Sequence, residues 1–61
     1  MKNFRVQLNL DRDTRFFITI KHNHINNAES HVQTKKWIKD EETGIHYNME
    51  KVISFNVYEE E

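Results

Sequence analysis

Four histidines in a chain of 61 residues are the first candidates for chemistry. His22 and His24 stand two apart, which on a strand puts both rings on one face and suits two ligands of a metal ion; His31 and His46 lie elsewhere in the chain. A metal centre needs convergent neutral imidazoles held by acceptors behind them. Because His22 to Asn27 reads as a loop, the histidines are expected at the surface or at a helix cap, with no bound metal or other cofactor. Catalytic pairs fare no better. The chain has no cysteine, so it has neither a thiolate nucleophile nor a disulfide or thiolate zinc staple. Ser30 and His31 are neighbours on a presumed helix, where adjacent side chains diverge by about 100° and cannot form a nucleophile–base pair. Ser54 meets His46 only across strands, with no acid to orient the ring. Asp40, Glu41 and Glu42 read as a solvated turn. One glycine, Gly44, cannot build a phosphate loop. The expectation is a protein that is not an enzyme.

Binding is the alternative to catalysis, and two surfaces compete for it. Phe17, Trp37 and Tyr58 are more large rings than one sheet face and one short helix can cover, and uncovered rings mark contact surfaces. The acidic runs Asp40-Glu41-Glu42 and Glu59-Glu60-Glu61 suit a basic groove on a partner. Against this, Trp37 is also the right size to be buried in closing a small barrel. The second surface is basic. Arg5 and Lys21, with Arg12 and Arg15 near a turn and Phe17 between them, have the composition of single-strand nucleic-acid binders. Asp11 and Asp13 dilute that patch, and the sequence pI of about 6.4 is below the range of such domains. The sequence therefore ranks a protein partner first and nucleic acid second.

The elements that position these residues follow from periodicity. Residues 3–10 alternate, with Phe4, Val6, Leu8 and Leu10 on one face and Arg5, Gln7 and Asn9 on the other, which predicts a half-buried strand. Asp11-Arg12-Asp13 has turn chemistry. Residues 14–21 alternate again, with Phe16, Ile18 and Ile20 opposed to Phe17, Thr19 and Lys21, and complete an antiparallel hairpin. A short helix begins near Ala28, capped by Asn26 or Asn27, and carries Ala28 and Val32 inward. Trp37 falls opposite Ala28 on a helical wheel, so the helix ends near Thr34 to Lys36. Lys36 to Lys39 and Ile45 to Met49 then form a second hairpin around Gly44, where positive φ is needed. Ile53, Phe55 and Val57 share one face of a last strand. The expected fold is α+β, mostly β: one domain over residues 1–61, of order β-β-α-β-β-β, forming a small antiparallel sheet or barrel with residues 58–61 as an acidic tail. A ββαβ chain with the helix running through Asp40 is the second choice.

Composition bounds the rest. About 36% apolar residues support one small core. The mean hydropathy of -0.92 leans toward disorder, but seven aromatic rings in patterned segments oppose it. Residues 1–36 hold seven basic and three acidic residues, whereas residues 37–61 hold two basic and seven acidic ones, so charge is polarised along the chain. No apolar run approaches the roughly 18 residues of a membrane span, and none follows Met1-Lys2 as a signal sequence would. The sequence thus reads as cytoplasmic, without membrane contact. Phe17 must be covered by the helix or exposed, and pairing two chains through Phe17 or Trp37 would cover it, so a homodimer is expected.

Trp37-Ile38-Lys39, an acidic turn, Ile45-His46-Tyr47-Asn48 and then Val52-Ile53-Ser54-Phe55 resemble the ends of small uncharacterised phage and prophage-type proteins of Gram-positive bacteria, which also open on an alternating hairpin. That resemblance implies a short accessory protein acting by binding a host or phage protein. Tyr47 and Ile53-Ser54 are similar to the last strands of Sm-like RNA-binding small barrels, with a spacing one residue longer and a helix that is not N-terminal.

Overall fold

Two alternating runs joined by a turn fold back on one another. In the computed structural model, which describes residues 1–60, β1 (Lys2–Asn9) pairs antiparallel with β2 (Arg15–His22) from Lys2 opposite His22 to Asn9 opposite Arg15. The turn is built by Asp11, whose Oδ1 accepts from the N–H groups of Asp13 and Thr14 at 2.9 and 2.8 Å. These N–H groups hold the Asp11 carboxyl below its ordinary value. Then come α1 (Ile25–Thr34), β3 (Trp37–Lys39), β4 (His46–Asn48), a 3-10 turn at Met49–Lys51 and β5 (Ser54–Glu59). The fold is α+β and mostly strand, in the order read from the sequence. β3 begins at Trp37 and the helix ends at Thr34, which excludes the ββαβ arrangement.

The strands divide between two sheets instead of closing one barrel. A three-stranded antiparallel sheet has the order β2-β1-β5, and β3 pairs with β4 in a separate two-stranded sheet. The larger sheet buries Phe4, Val6, Leu8, Ile18 and Ile20 on its inner face, under Ala28 and Val32 of α1 and Ile38 of β3. Each of these side chains other than that of Ala28 contributes roughly 1.5–3 kcal/mol through the area it removes from water. Tyr47, Met49, Val52, Phe55 and Val57 pack around this cluster, partly buried.

Several local expectations are corrected. The helix starts at Ile25, before Ala28, and its N-cap is His24, whose carbonyl accepts from Asn27 and Ala28 N–H without any side-chain cap. Asn26 and Asn27 are therefore helical and not capping. Phe16 lies on the inner side of β2 but at the turn end, where it remains 42% exposed and packs its ring 5.8 Å from that of Tyr47. Tyr58 and Glu59 of the expected tail belong to β5, and Glu61 lies outside the described residues. No helix among the described residues is long and apolar enough to cross a membrane.

Asp40 departs furthest from its solvated reading. It is only 4% exposed. Its Oδ1 accepts from Thr19 N–H on the outer edge of β2 at 3.0 Å and from Glu42 N–H at 3.1 Å, while Oδ2 accepts from the Thr43 hydroxyl at 2.9 Å. Asp40 N–H donates to the Ile45 carbonyl at 2.8 Å, and its own carbonyl accepts from Gly44 N–H at 2.7 Å, with Gly44 at φ +79° as the loop requires. Glu41 N–H donates to the Thr19 carbonyl at 2.8 Å. One residue thus closes the β3–β4 loop and fastens it to β2. Burial pushes the Asp40 carboxyl up, but the N–H groups of Thr19 and Glu42 and the Thr43 hydroxyl outweigh it and hold the carboxyl below its ordinary value.

Replacing Asp40 with alanine strands these buried donors and is expected to cost about 3 kcal/mol in chemical denaturation, whereas Asp40→Asn, which keeps an acceptor, should cost less. Because the folded carboxyl titrates below its unfolded value, its contribution is full above about pH 4 and is lost as pH falls through the folded value. An Asp40→Ala protein as stable as wild type would show that the loop is held by other contacts.

Candidate functional site

Strict alternation leaves the outer face of the three-stranded sheet free of the core. β1 contributes Asn3, Arg5, Gln7 and Asn9; β2 contributes Arg15, Phe17, Thr19 and Lys21; β5 contributes Ser54, Asn56 and Tyr58. The registers set these in rows. Arg15, Asn9 and Ser54 form the row at the turn end, followed by Phe17, Gln7 and Asn56. Thr19, Arg5 and Tyr58 come next, and Lys21 and Asn3 lie at the far end. Phe17 and Tyr58, 45% and 48% exposed, therefore flank β1 on a diagonal. Arg5 sits between them with its guanidinium carbon 4.9 Å from the Phe17 ring centroid, a cation–π contact, and its Nη1 is 3.9 Å from Glu60 Oε2.

The polar side chains of this face orient one another. The Tyr58 hydroxyl donates to Gln7 Oε1 at 3.4 Å, Gln7 Nε2 donates to Asn9 Oδ1 at 2.9 Å, and Asn9 Nδ2 donates to Ser54 Oγ at 2.9 Å. Each amide thus has a defined carbonyl and NH₂ end, with further donor and acceptor capacity for a ligand. Thr19 alone is covered, its hydroxyl 3.4 Å from Glu42 Oε2 where the β3–β4 loop wraps the β2 edge.

The residues that the sequence grouped for protein contact are dispersed. Trp37 is 54% exposed but lies on the smaller sheet; Ile38 and Tyr47 turn to the core, so Trp37 and the opposite Asn48 turn away from it. Asp40 is buried, while Glu41 and Glu42 are exposed in the loop beside Thr19. The residues grouped for nucleic acid fare differently. Arg5, Arg15 and Lys21 share the outer face with Phe17 and Tyr58, and Arg12 is exposed in the adjoining turn. Gln7, Asn9 and Asn56 were missed as site residues, although their place in the alternation puts them on the same face as Arg5 and Tyr58.

His22 meets His31, and not His24, which caps the helix. His22 Nε2 is 2.5 Å from His31 Nδ1, and the rings stand edge to face with centroids 4.8 Å apart. That separation is a hydrogen bond between imidazoles, too short for an ion between two ligands. Among the described residues no three metal-ligating side chains converge. Burial, then the neighbouring His22 and Lys35 charges, push His31 below its ordinary value.

No protein-family model matches this chain, and comparisons with curated proteins and with solved structures give no match.

The lowered His31 value means that the unfolded chain binds more protons below about pH 6.5. The contribution of neutral His31 is full above that value, is lost progressively as pH falls toward the folded value, and changes no further beneath it. Melting temperature should fall over this interval, and His31→Gln should flatten the step. An unchanged pH profile in His31→Gln would dissociate the pair from acid sensitivity.

Proposed function

We propose that this protein binds single-stranded nucleic acid on the outer face of its three-stranded sheet. The observation that carries this reading is the diagonal of half-exposed Phe17 and Tyr58 across β1, with the Arg5 guanidinium on the Phe17 ring. Bases stack on such rings, and a guanidinium plane offers a further stacking surface beside them. Arg15, Lys21 and Arg12 supply charges for the phosphates, and Gln7, Asn9 and Asn56 supply hydrogen-bonding groups for base edges.

The overall charge of -1 does not describe this face. Several acidic groups that lower the total are engaged elsewhere: Glu59 pairs with Lys2 at 3.1 Å, Glu50 with Lys36 at 3.6 Å, and Asp40 is consumed by the loop. Among the described residues Glu60 pairs with Arg5, Glu42 reaches Thr19 in the same row, and Asp11 and Asp13 flank Arg12; a phosphate would compete with Glu60 for Arg5. Contact with a protein is the second reading, favoured by Trp37, a large exposed ring on a different sheet. Both readings are of binding without catalysis.

Fluorescence anisotropy with labelled oligothymidylate separates them. Binding should weaken steeply with salt. Phe17→Ala and Tyr58→Ala should each cost about tenfold or more in affinity, from roughly 1–3 kcal/mol per stacked base. Arg15→Ala should weaken binding and reduce the salt slope by about one. Trp37→Ala should leave affinity unchanged. Absence of salt-sensitive binding, or loss of it only in Trp37→Ala, would overturn the proposal.

A further inference from the structure

The two edges of the three-stranded sheet are treated differently. On β2 the outward N–H and C=O of Thr19 are taken by Asp40 Oδ1 and Glu41 N–H, so the β3–β4 loop blocks that edge near its middle. β5 is the opposite edge. Glu60 N–H donates to the Asn3 carbonyl, which turns Ser54, Asn56, Tyr58 and Glu60 toward β1 by alternation and leaves the backbone groups of Phe55, Val57 and Glu59 facing outward. No strand pairs with them among the described residues. The side chains of Phe55 and Val57 point to the inner face and are only partly buried, because the core ends at this edge.

We infer that the occupant of this edge is a second copy of the chain, joined β5 to β5 in antiparallel fashion about a two-fold axis at Asn56. The sequence of β5 selects that register. With the axis at Asn56, Phe55 lies opposite the second copy's Val57 and Val57 opposite its Phe55, each pair exchanging both backbone hydrogen bonds. Two partly buried apolar residues are thereby covered by two more, and the acidic ends of the two strands lie at opposite ends of the junction. With the axis at Val57 instead, Phe55 would face Glu59 twice. With the axis at Phe55, the pairing would run into Ile53, whose N–H is already taken by the Asn9 carbonyl. The product is one six-stranded sheet whose two outer faces are continuous. This inference goes beyond the nucleic-acid reading and stands without it. It replaces the expectation that Phe17 or Trp37 holds a dimer.

At the axis, Asn56 faces its own copy in a non-hydrogen-bonded pair, where Cα atoms approach to about 4.5 Å, within the range a disulfide spans. The chain has no native cysteine, so a single introduced thiol reports alone. Under mild oxidation without nucleic acid, Asn56→Cys is expected to give a disulfide-linked dimer much faster than Glu29→Cys on the exposed side of α1. Asn56→Lys places like charges face to face without touching the core; it should abolish the dimer seen by sedimentation at high micromolar concentration and keep the wild-type circular dichroism. A wild-type protein that sediments as a monomer at every concentration overturns the inference. So does a dimer that survives Asn56→Lys, or an Asn56→Cys protein that cross-links no faster than Glu29→Cys.

Discussion

The Asp40 carboxylate is the constraint on which the arrangement of the two sheets depends. A chain this short has a small core, and its second sheet is two strands of three residues each, too little to stand alone. Ile38 is the only residue of that sheet in the fully buried cluster. Asp40 adds a directional anchor beside it. A buried carboxylate is costly unless donors surround it, and here backbone N–H groups from two separate segments do so. The same contacts close the loop, hold it against β2 and occupy the edge at Thr19. The β3–β4 loop covers the outer face of the first sheet only at Thr19, and the rest of that face stays exposed or half-buried.

That outer face gains its character from register more than from composition. β1 is the central strand, so Arg5 and Gln7 have neighbours on both sides, Thr19 and Phe17 on β2 and Tyr58 and Asn56 on β5. Cross-strand proximity places a cation on one ring and a hydroxyl on an amide, and the hydrogen bonds running from Tyr58 to Ser54 restrict rotamers before any ligand arrives. Ordering in advance lowers the entropy lost on binding.

Much of this architecture is legible in the sequence. The alternation over residues 3–10 and 14–21 defines the first hairpin and its inner and outer faces. Trp37, out of phase with Ala28, marks the end of the helix, and the single glycine marks the second loop. What is not legible depends on contacts between distant segments. Asp40-Glu41-Glu42 has the composition of a solvated turn, and nothing local says that Thr19 will present its N–H to the first of these carboxylates. The pairing of His22 with His31 likewise arises where α1 crosses the end of β2, whereas their sequence neighbourhood suggests His22 with His24. Helical Asn26 and Asn27 reflect the docking of Ala28 and Val32 overriding weak local propensity. Tyr58 was visible as a large ring, but its place beside Arg5 follows only from β5 pairing with β1, a pairing between the two ends of the chain.

The central claim is that the outer face of the β2-β1-β5 sheet is the nucleic-acid surface, and residue-resolved NMR tests it most directly. Titrating isotope-labelled protein with a short oligothymidylate should shift the amides of Arg5, Gln7, Phe17, Asn56 and Tyr58 together, with ring protons of Phe17 and Tyr58 moving upfield as bases stack. Amides near Trp37 and Glu50 should stay in place. Shifts confined to the Trp37 side of the molecule, or no shifts at concentrations where the oligonucleotide is in excess, would contradict the account.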